Sequence, residues 1–548
     1  MRRTNSWVAA LLVGVLAATG SLLAAGSLLA AEEIMVRIAF ENREQVQRLA
    51  DRGLDIWEVD RAAQLILARV RPEQLDELQA LGYVAWIDWE ATAKYPSGVE
   101  VPPGYPCYRT FDQGVIDLQT AAADYPNLVT LLDIGDAWES SHGGPHRDLL
   151  VARVTNSAVP GPKPTFFLVA EHHAREMVTP ELAYNFLDWL LSGYGVDPVA
   201  TFLLDRRNIY IMPWANPDGR IQNEGFTSYW RKNTDNDDGC TFPDDQGTDM
   251  NRNYSYEWGH DNGSSPSPCA ETYRGPSAAS EPEVSALQIF ISSIFTSGPQ
   301  TNILITLHSY GNYILYPWSY SSSRAPDYLN LDQIGLKFAQ FNFYEPGQAF
   351  ELLFYLASGT TDDWSYGALG VPSFTFECGE TFYQDCSYLP GILSENRPAF
   401  IYAGRVADAP YLHAAGPDPS ATSVAPALLP PGAPVHLQTT VSDVLSGMNI
   451  VSAAQAYLDL PPEAGGTPIA MAASDGAFDE VTEQVYVDLD TSAIPIGRHL
   501  LLVRGIDSAG KAGALDAVFL GIGSPNLIAG TATNAANPLG RVRLFSGP

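Results

Sequence analysis

The chain has 548 residues and a formal net charge of −32, from 63 acidic residues against 31 lysines and arginines. This charge argues against nucleic-acid binding, because neutralising phosphates requires a basic surface. A hydrophobic content of 46% argues against general disorder, and the length predicts two to four domains.

Residues 1–31 have the pattern of a signal peptide. Arg2 and Arg3 precede an apolar run that ends at Ala31, and such a charged start followed by an apolar run directs export. The run is also long enough to remain as an uncleaved anchor. We expect a secreted, extracellular protein with no stable membrane span once the signal is removed. Export permits disulfides, and five cysteines leave at least one thiol free or paired between chains.

Residues 32–95 predict a small α+β domain. Strand patterns and two helical patterns alternate in the order β-α-β-β-α-β, which is typical of a ferredoxin-like domain. Asn42 is the expected N-cap of the first helix, and Pro72 lies in the first turn of the second. A Pro/Gly-rich connector follows. A small domain between an export signal and such a connector is typical of a propeptide, with a permanent accessory domain as the alternative.

Residues 96–412 predict an α/β domain with a mixed, largely parallel sheet flanked by helices. Short apolar runs alternate with segments of helical periodicity. Residues 413–434 are rich in Pro, Ala and Gly and predict a linker. Residues 435–523 alternate in hydrophobicity between Gly, Pro and Asp turns, as in an Ig-like β-sandwich. Residues 524–548 resemble the start of an incomplete β-module. The sandwich is expected to bind a cell surface, carbohydrate or protein, or to act as a spacer.

The stretch AEHHAREMVTPE, residues 170–181, lies between a buried strand and a helix for which Thr179 is the expected N-cap. It holds His173 and Glu176. His308 and Glu377 each end another predicted strand, and sites in open α/β sheets form at the carboxyl ends of strands. Two imidazoles and a carboxylate with an open position are the ligands of catalytic zinc. The H-E-x-x-H, G-x-S-x-G and Walker patterns are absent from the sequence.

Over residues 105–405 the chain resembles the zinc carboxypeptidases of the pancreatic A/B type, peptidase family M14, and their secreted bacterial relatives. The resemblance rests on segments that occur in the family's order: HARE (173–176), SYWRK (228–232), GTDMNRNY (247–254), SPCAETYRG (267–275), HSYGNYILYP (308–317), YLASGTTDDW (355–364) and FTFE (374–377). The resemblance implies a metallocarboxypeptidase fold and the removal of C-terminal residues from peptides or proteins that have a free C-terminus.

The resemblance also implies roles for the matching residues. His173, Glu176 and His308 would bind one Zn²⁺. Glu377 would be the general base that takes a proton from the attacking water and passes it to the leaving amine. Arg231 would polarise the scissile carbonyl and stabilise the oxyanion.

Other matching residues are implied to bind substrate or support the site. Asn251, Arg252 and Tyr355 would hold the terminal carboxylate of the substrate. Asp249 would accept a hydrogen bond from His173 and fix its ring. Arg175 would line the outer cleft.

The cysteines and two polar features carry further expectations. Cys240 and Cys269 match the family's disulfide, and Cys378 is expected to pair with Cys386, with Cys107 as the competing partner. His172 is expected to be a structural neighbour and not a ligand. The run DNDDG (235–239) could bind Ca²⁺, but its spacing is not that of an EF-hand, so a solvated acidic loop is favoured.

Substrate preference is predicted from the residue before the Asp-Trp pair. The resemblance places Asp362 at the floor of the side-chain pocket, and both Asp362 and Ser319 resemble the members that remove C-terminal Arg or Lys. Phe350 departs from those members, and its bulk could narrow the pocket. One alternative is a murein peptide hydrolase of the same fold. The other is a non-catalytic binding or adhesion protein, which the presence of all three implied metal ligands and the implied general base disfavours.

Overall fold

The computed structural model describes residues 33–95, 105–225, 229–295 and 302–523. The predicted signal peptide and the predicted β-module at 524–548 lie outside these residues. Within the described part of the chain, no helix is long and apolar enough to cross a membrane.

The first unit is an antiparallel sheet covered by two helices. Its elements are β1 (Ile34–Ala39), α1 (Arg43–Asp51), β2 (Asp55–Asp60), β3 (Leu65–Val70), α2 (Pro72–Ala80) and β4 (Ala85–Ile87). The strands lie in the order β2-β3-β1-β4. The Asn42 side chain accepts from the Gln45 N–H and so begins α1 as predicted. We refer to this unit as the N-terminal domain.

A third helix, α3 (Trp89–Lys94), lies where the end of a strand and a connector were predicted. Asp88 causes the difference, because its side chain accepts from the Ala91 N–H and caps a helix at this position. The strand β4 therefore ends at Ile87.

The second unit is built on an eight-stranded mixed sheet in the order β11-β10-β12-β9-β7-β8-β6-β5. Its strands are β5 (Val129–Asp136), β6 (Asp148–Val154), β7 (Thr165–Ala170), β8 (Asn208–Met212), β9 (Ile303–His308), β10 (Tyr313–Tyr316), β11 (Glu345–Gln348) and β12 (Ser373–Glu377). The central strands β12, β9, β7 and β8 run parallel. This is the predicted largely parallel α/β sheet.

Helices cover both faces of this sheet. They are α4 (Phe111–Asp124), α5 (Trp138–Ser141), α6 (Val178–Gly193), α7 (Pro198–Arg206), α8 (Pro217–Gly225), α9 (Pro282–Ile294), α10 (Tyr328–Asn342), α11 (Ala349–Leu353), α12 (Thr361–Leu369), α13 (Leu389–Val406) and α14 (Pro410–Ala414). Every residue of β7 is buried, and its side chains alternate between two core clusters. The site strands are therefore packed on both faces, which fixes where their ends lie.

The third unit consists of β-strands: β13 (Asp418–Ala425), β14 (Leu428–Leu429), β15 (Val435–Ser442), β16 (Val451–Leu458), β17 (Ile469–Ala473), β18 (Thr482–Leu489), β19 (Gly497–Asp507) and β20 (Asp516–Ile522). β17 pairs with both β16 and β18 and joins the two halves of the sheet. Side chains from both halves share one apolar cluster. We refer to this unit as the C-terminal β-domain.

The predicted linker at 413–434 is largely structured. β13 pairs with β15, and β14 pairs with β20, so most of this segment belongs to the β-domain. Its Pro, Ala and Gly content predicted a loop. However, the edge position of β13 tolerates Pro419, because an edge strand needs fewer backbone donors.

Candidate metal centre and substrate cavity

Three neighbouring strands bring the predicted ligands to one edge of the sheet. β12, β9 and β7 are adjacent, and Glu377 at the end of β12 pairs in register with His308 at the end of β9. Ala170 at the end of β7 pairs with Leu307. The loop that follows β7 therefore places His173 and Glu176 beside His308.

The donor atoms of His173, Glu176 and His308 converge. Their ligand atoms lie within 4.8 Å of one another, and all three residues are buried. His173 Nδ1 lies 2.7 Å from Glu176 Oε1, and His308 Nδ1 lies 3.0 Å from Glu176 Oε2. The two Nδ1 atoms are 3.1 Å apart. These are the three residues that the family resemblance implies as metal ligands.

This donor set fits zinc. Glu176 Oε2 is buried without a well-directed hydrogen bond, although His308 is close. Burial, together with the charge of Arg231, lowers the pKa of His173, which favours the neutral ring that a metal requires. Two imidazole nitrogens and one carboxylate around a common point match the ligands of catalytic zinc sites, and two of the three, His173 and Glu176, also line the cavity.

A buried carboxylate orients His173 from behind. His173 Nε2 lies 3.1 Å from Asp249 Oδ1, and the other Asp249 oxygen accepts from Arg231 Nη2 at 2.8 Å. The Asn251 N–H also donates to Asp249, at 3.0 Å. Asp249 is fully buried, and although burial opposes its charge, Arg231 and His173 hold its pKa well below the usual range. The ring orientation of His173 and the position of Arg231 thus depend on one carboxylate.

Glu377 faces the same cavity as the metal donors. The cavity has a volume of about 100 Å³, and its walls include Glu176, Arg231 and Glu377. Burial, and then the charge of Glu176, raise the pKa of Glu377 to about 8, while His308 opposes that rise. A carboxyl group with this pKa can both accept and release a proton near neutral pH.

Arg252 contributes a cation to the cavity. Its side chain donates to the Asn251 carbonyl at 2.8 Å, and its buried Nε has no hydrogen-bond partner among the described residues. Tyr355 lines the cavity on the same side, and burial raises its pKa. Asn251 is held by Thr361, which donates to its side-chain oxygen from both N and Oγ1 at 2.9 Å. The group can therefore receive an anion.

The side-chain end of the cavity is acidic. Asp362 and Ser319 both line it, and Asp362 Oδ2 is buried without a partner. Asp363, next to it, accepts from the backbone N–H groups of Ser319 and Tyr320 and supports the wall instead. Phe350 lies under the Arg43 guanidinium, 4.3 Å from its ring centroid, and is not among the cavity-lining residues. The expected narrowing by Phe350 is not observed.

The N-terminal domain closes the mouth of the cavity. Ile56 and Trp57 line it, and Arg175 forms a two-bonded ion pair with Asp55, at 2.7 and 2.9 Å. Arg175 is 2% exposed. Arg175 therefore lines the cavity, as the resemblance implies for the outer cleft, but its guanidinium is bonded to a carboxylate of the N-terminal domain.

His172 has a structural environment, as expected. Its Nε2 lies 2.8 Å from the Tyr254 hydroxyl and 3.1 Å from the Thr361 hydroxyl, and its Nδ1 faces Thr306. The helix after this corner begins at Val178, so Thr179 lies inside α6 and donates to the Glu176 carbonyl.

The disulfides differ in part from the prediction. Cys240 pairs with Cys269 as expected. The predicted Cys378–Cys386 pair is wrong, because Cys386 pairs with Cys107 and Cys378 is a free, buried thiol. Cys378 immediately follows β12, and its sulfur lies against the Phe376 carbonyl and Asn396, inside the core.

The DNDDG run does not assemble three converging donors among the described residues. Asp235 accepts from the Asp237 N–H at 2.9 Å, as in an ordinary loop. Besides the buried triad, the described residues contain a second group of three donors, formed by exposed Asp136 and His146 and half-buried Asp148.

Comparison with known proteins connects this site to a family. A family model described as "Zinc carboxypeptidase" matches residues 116–399, more than half of the chain. Carboxypeptidase A2 of Rattus norvegicus is 32% identical over 287 residues, 51% of this chain and 64% of that protein. Carboxypeptidase B of Homo sapiens is 28% identical over 402 residues, 68% of this chain and 91% of that protein. The chain thus spans less than two thirds of the length of this carboxypeptidase A2.

A solved structure shares the fold. The crystal structure of carboxypeptidase A from Helicoverpa armigera superposes with a TM-score of 0.58 at 23% identity, and the match covers 68% of this chain and 97% of that one. At this identity the likeness shows the arrangement of strands and helices and nothing about the substrate.

Proposed function

Because this chain belongs to the zinc carboxypeptidase family, we propose that it is a secreted exopeptidase that hydrolyses the C-terminal peptide bond of peptides and proteins. One observation carries the proposal: the Glu377 carboxyl, the Arg252 guanidinium and two of the three metal donors, His173 and Glu176, line one cavity, and the third donor, His308, lies against Glu176. A hydrolytic centre beside a buried cation that has no salt bridge among the described residues suits a peptide bond that lies next to a free carboxylate.

His173, Glu176 and His308 would hold the zinc. Bound there, it would supply a Lewis acid, which lowers the pKa of water from about 15.7 to about 7. Glu377 would take a proton from the attacking water and deliver it to the leaving amine. Burial and the charge of Glu176 raise the pKa of Glu377 to about 8 without a metal, and the positive charge of bound zinc would lower it toward the ionised form that a base requires.

Arg231 would stabilise the negative charge that develops on the scissile carbonyl oxygen. Asp249 holds its guanidinium by bonds to Nε and Nη2, at 3.1 and 2.8 Å. A donor that is already oriented costs no reorganisation during the reaction, and removing one such donor costs about 10²–10³ in kcat. Arg252, Asn251 and Tyr355 would hold the terminal carboxylate and so restrict cleavage to the last bond.

A basic side chain would occupy the acidic end of the cavity. Asp362 is 1% exposed, and its unpartnered Oδ2 would reject an apolar residue, because the carboxylate would stay desolvated and unpaired. The proposed substrates are therefore peptides that end in Arg or Lys. Replacing Asp362 by Ala is expected to abolish the preference for Arg over Phe.

The N-terminal domain would act as a propeptide. Asp55 forms an ion pair with Arg175, and Ile56 and Trp57 form part of the cavity wall. Trp57 packs edge-on against Phe382 of the second unit, with centroids 4.8 Å apart. The uncleaved chain would then be inactive on peptides until a protease cuts between residues 95 and 105.

The test uses a full-length chain with a protease site inserted between residues 95 and 105, folded whole and then cut. Peptides that differ only in a C-terminal Arg, Lys, Phe, Glu or amide are followed by mass, with and without a zinc chelator. Chelator-sensitive loss of one Arg or Lys, with the amide intact, is the expected result. No loss from any peptide by zinc-loaded protein would contradict exopeptidase action and favour a cell-wall peptide substrate or a binding role.

A further inference from the structure

Two buried oxygen atoms at the acidic end of the cavity have no well-directed hydrogen bond among the described residues. They are Thr360 Oγ1 and Asp362 Oδ2. Thr360 is 3% exposed, Asp362 is 1% exposed, and both line the cavity. Buried polar atoms are nearly always bonded, because leaving one unsatisfied is costly. Burial raises the pKa of Asp362, and hydrogen bonding from the Thr360 hydroxyl opposes that rise, so the two side chains are close enough for one ligand group to bond both.

The position of Thr360 in the chain strengthens this point. Thr360 is the N-cap residue of α12, and a threonine there normally accepts a hydrogen bond from an N–H of the first helical turn. The Thr360 side chain makes no such bond. The hydroxyl instead faces the carboxyl groups of Asp362 and Asp363, and it opposes the rise in their pKa values that burial causes.

Two neighbours of Thr360 in the chain, Thr361 and Asp363, are hydrogen-bonded to other parts of the protein. Thr361 Oγ1 donates to the Asn251 side chain at 2.9 Å, and the Asp363 carboxylate accepts from Ser319 and Tyr320. Of the four consecutive polar residues 360–363, Thr360 and Asp362 each have a buried oxygen without a well-directed bond to the described part of the protein. These two oxygens lie at the end of the cavity that would receive the substrate side chain.

We propose that Thr360 is a specificity-determining residue, which together with Asp362 selects arginine over lysine as the C-terminal residue. This rests on the proposed exopeptidase function. A guanidinium presents five N–H donors in a rigid planar fork and is weakly hydrated, so it can bond a carboxylate oxygen and a hydroxyl oxygen together. An ammonium is a compact, strongly hydrated point charge, which loses more hydration on entering a buried pocket.

The substitutions Thr360→Val and Thr360→Ser separate the hydroxyl from the bulk of the side chain. Valine keeps the shape and removes the hydroxyl, whereas serine keeps the hydroxyl. With the cut full-length protein and two peptides that differ only in a final Arg or Lys, the unsubstituted enzyme is expected to favour Arg at least about tenfold in kcat/KM. Thr360→Val should lower that ratio about tenfold, the loss of one charge-assisted hydrogen bond, and Thr360→Ser should restore it.

Product binding gives a second readout that does not need turnover. Calorimetry of the cut, zinc-loaded protein with L-arginine and with L-lysine should show the same tenfold loss of arginine selectivity in Thr360→Val. If that variant does not fold, the comparison of L-arginine with L-lysine on the unsubstituted protein and on Thr360→Ser still tests the proposal.

The outcomes distinguish this inference from the proposed function. Equal rates and equal affinities for Arg and Lys, or an unchanged ratio in Thr360→Val, would overturn the role of Thr360 and leave the exopeptidase standing. Release of neither Arg nor Lys by the unsubstituted, zinc-loaded enzyme would overturn both.

Discussion

Glu377 and Glu176 are two buried carboxylates in one cavity, and their surroundings give them different tasks. His173 and His308 face Glu176 and stabilise its charge, whereas Glu377 has a pKa raised to about 8 by burial and by Glu176. Groups whose pKa values are pushed apart in this way are suited to separate roles, one as a ligand and one as a proton carrier. Conservative substitutions of the two should therefore have different consequences.

We expect Glu377→Gln to keep zinc at one per chain while kcat falls by about 10²–10⁴, the usual contribution of a general base. Glu176→Gln removes a ligand charge and should lose zinc as well as activity. Metal content by mass spectrometry and kcat on an Arg-ended peptide check both variants. Loss of zinc from Glu377→Gln, or full activity in it, would contradict the assigned role.

The metal donors could be predicted from sequence, whereas the disulfides could be predicted only in part. His308 and Glu377 end apolar runs, and the ends of parallel strands meet at one edge of a sheet regardless of side-chain detail. Cysteine pairing depends on distances that the sequence does not contain. Cys386 lies eight residues after Cys378, but its partner is Cys107, 279 positions away. The position of the Thr360 hydroxyl beside Asp362 was likewise not predicted, because a threonine before a helix predicts a cap.

At the scale of elements, the contact between β2 and the loop after β7 controls access to the cavity. Asp55 and Arg175 form a buried ion pair with two bonds. Removing one partner of a buried pair costs about 3–5 kcal/mol, since the other charge stays desolvated. The N-terminal domain should therefore depend on this pair for much of its hold on the second unit.

We expect Asp55→Asn to raise the residual activity of the uncleaved chain at least about tenfold, and to speed release of the N-terminal domain after cutting. Activity on a short Arg-ended peptide and native gel analysis measure the two effects. Arg61→Ala is the matched control, because the Arg61–Glu345 pair is largely solvent-exposed and such pairs contribute about 0–1 kcal/mol. If Asp55→Asn leaves the activity of the uncleaved chain unchanged, that result would argue against the propeptide role.

α14 joins the second unit to the C-terminal β-domain through His413. Its Nε2 lies 2.9 Å from Asp408, and its Nδ1 lies 3.0 Å from the Ala512 carbonyl. Both neighbours are acceptors, so the ring donates twice only when protonated. Burial and the Arg207 charge lower the pKa of His413, but Asp408 and the carbonyl outweigh them and raise it.

A raised pKa in the folded state means that protonated His413 stabilises the protein. This contribution is complete below the unfolded pKa of about 6.5 and is lost as the pH rises through the higher folded value. Asp408, whose pKa is lowered, stays ionised across this window. Between pH 6 and pH 9 the unsubstituted protein should lose about 2 °C more in Tm than His413→Gln. Equal losses in calorimetry would contradict the assignment.

The segment at 413–434 shows that local composition does not predict strand pairing between distant parts of the chain. Its composition predicts a loop, but backbone pairing with β15 and β20 is decided by chain segments far along the sequence. A flexible linker would have made the C-terminal β-domain an independent module. The observed strands leave little free chain between it and the second unit.

For the whole molecule, the packing of that β-domain suggests a single cooperative body. Leu502 is fully buried, and with Tyr457 and Leu515 it belongs to the core cluster of the second unit rather than to the β-domain's own cluster. Arg207 crosses the same interface to Glu463, at 3.2 Å. A shared apolar core couples unfolding of the two units, because neither can open without exposing it.

The part of the chain that follows the proposed cleavage site, residues 105–523, is therefore expected to unfold in one calorimetric transition. Leu520→Ala, inside the β-domain's own core, should cost about 2–5 kcal/mol and lower that transition without splitting it. Leu502→Asp buries a charge at the shared core and should separate the transition into two, with the zinc site lost only in one of them. Two transitions in the unsubstituted protein would contradict this coupling. The β-domain would then unfold as an independent module, because the interface would contribute less to the free energy of unfolding than either core does.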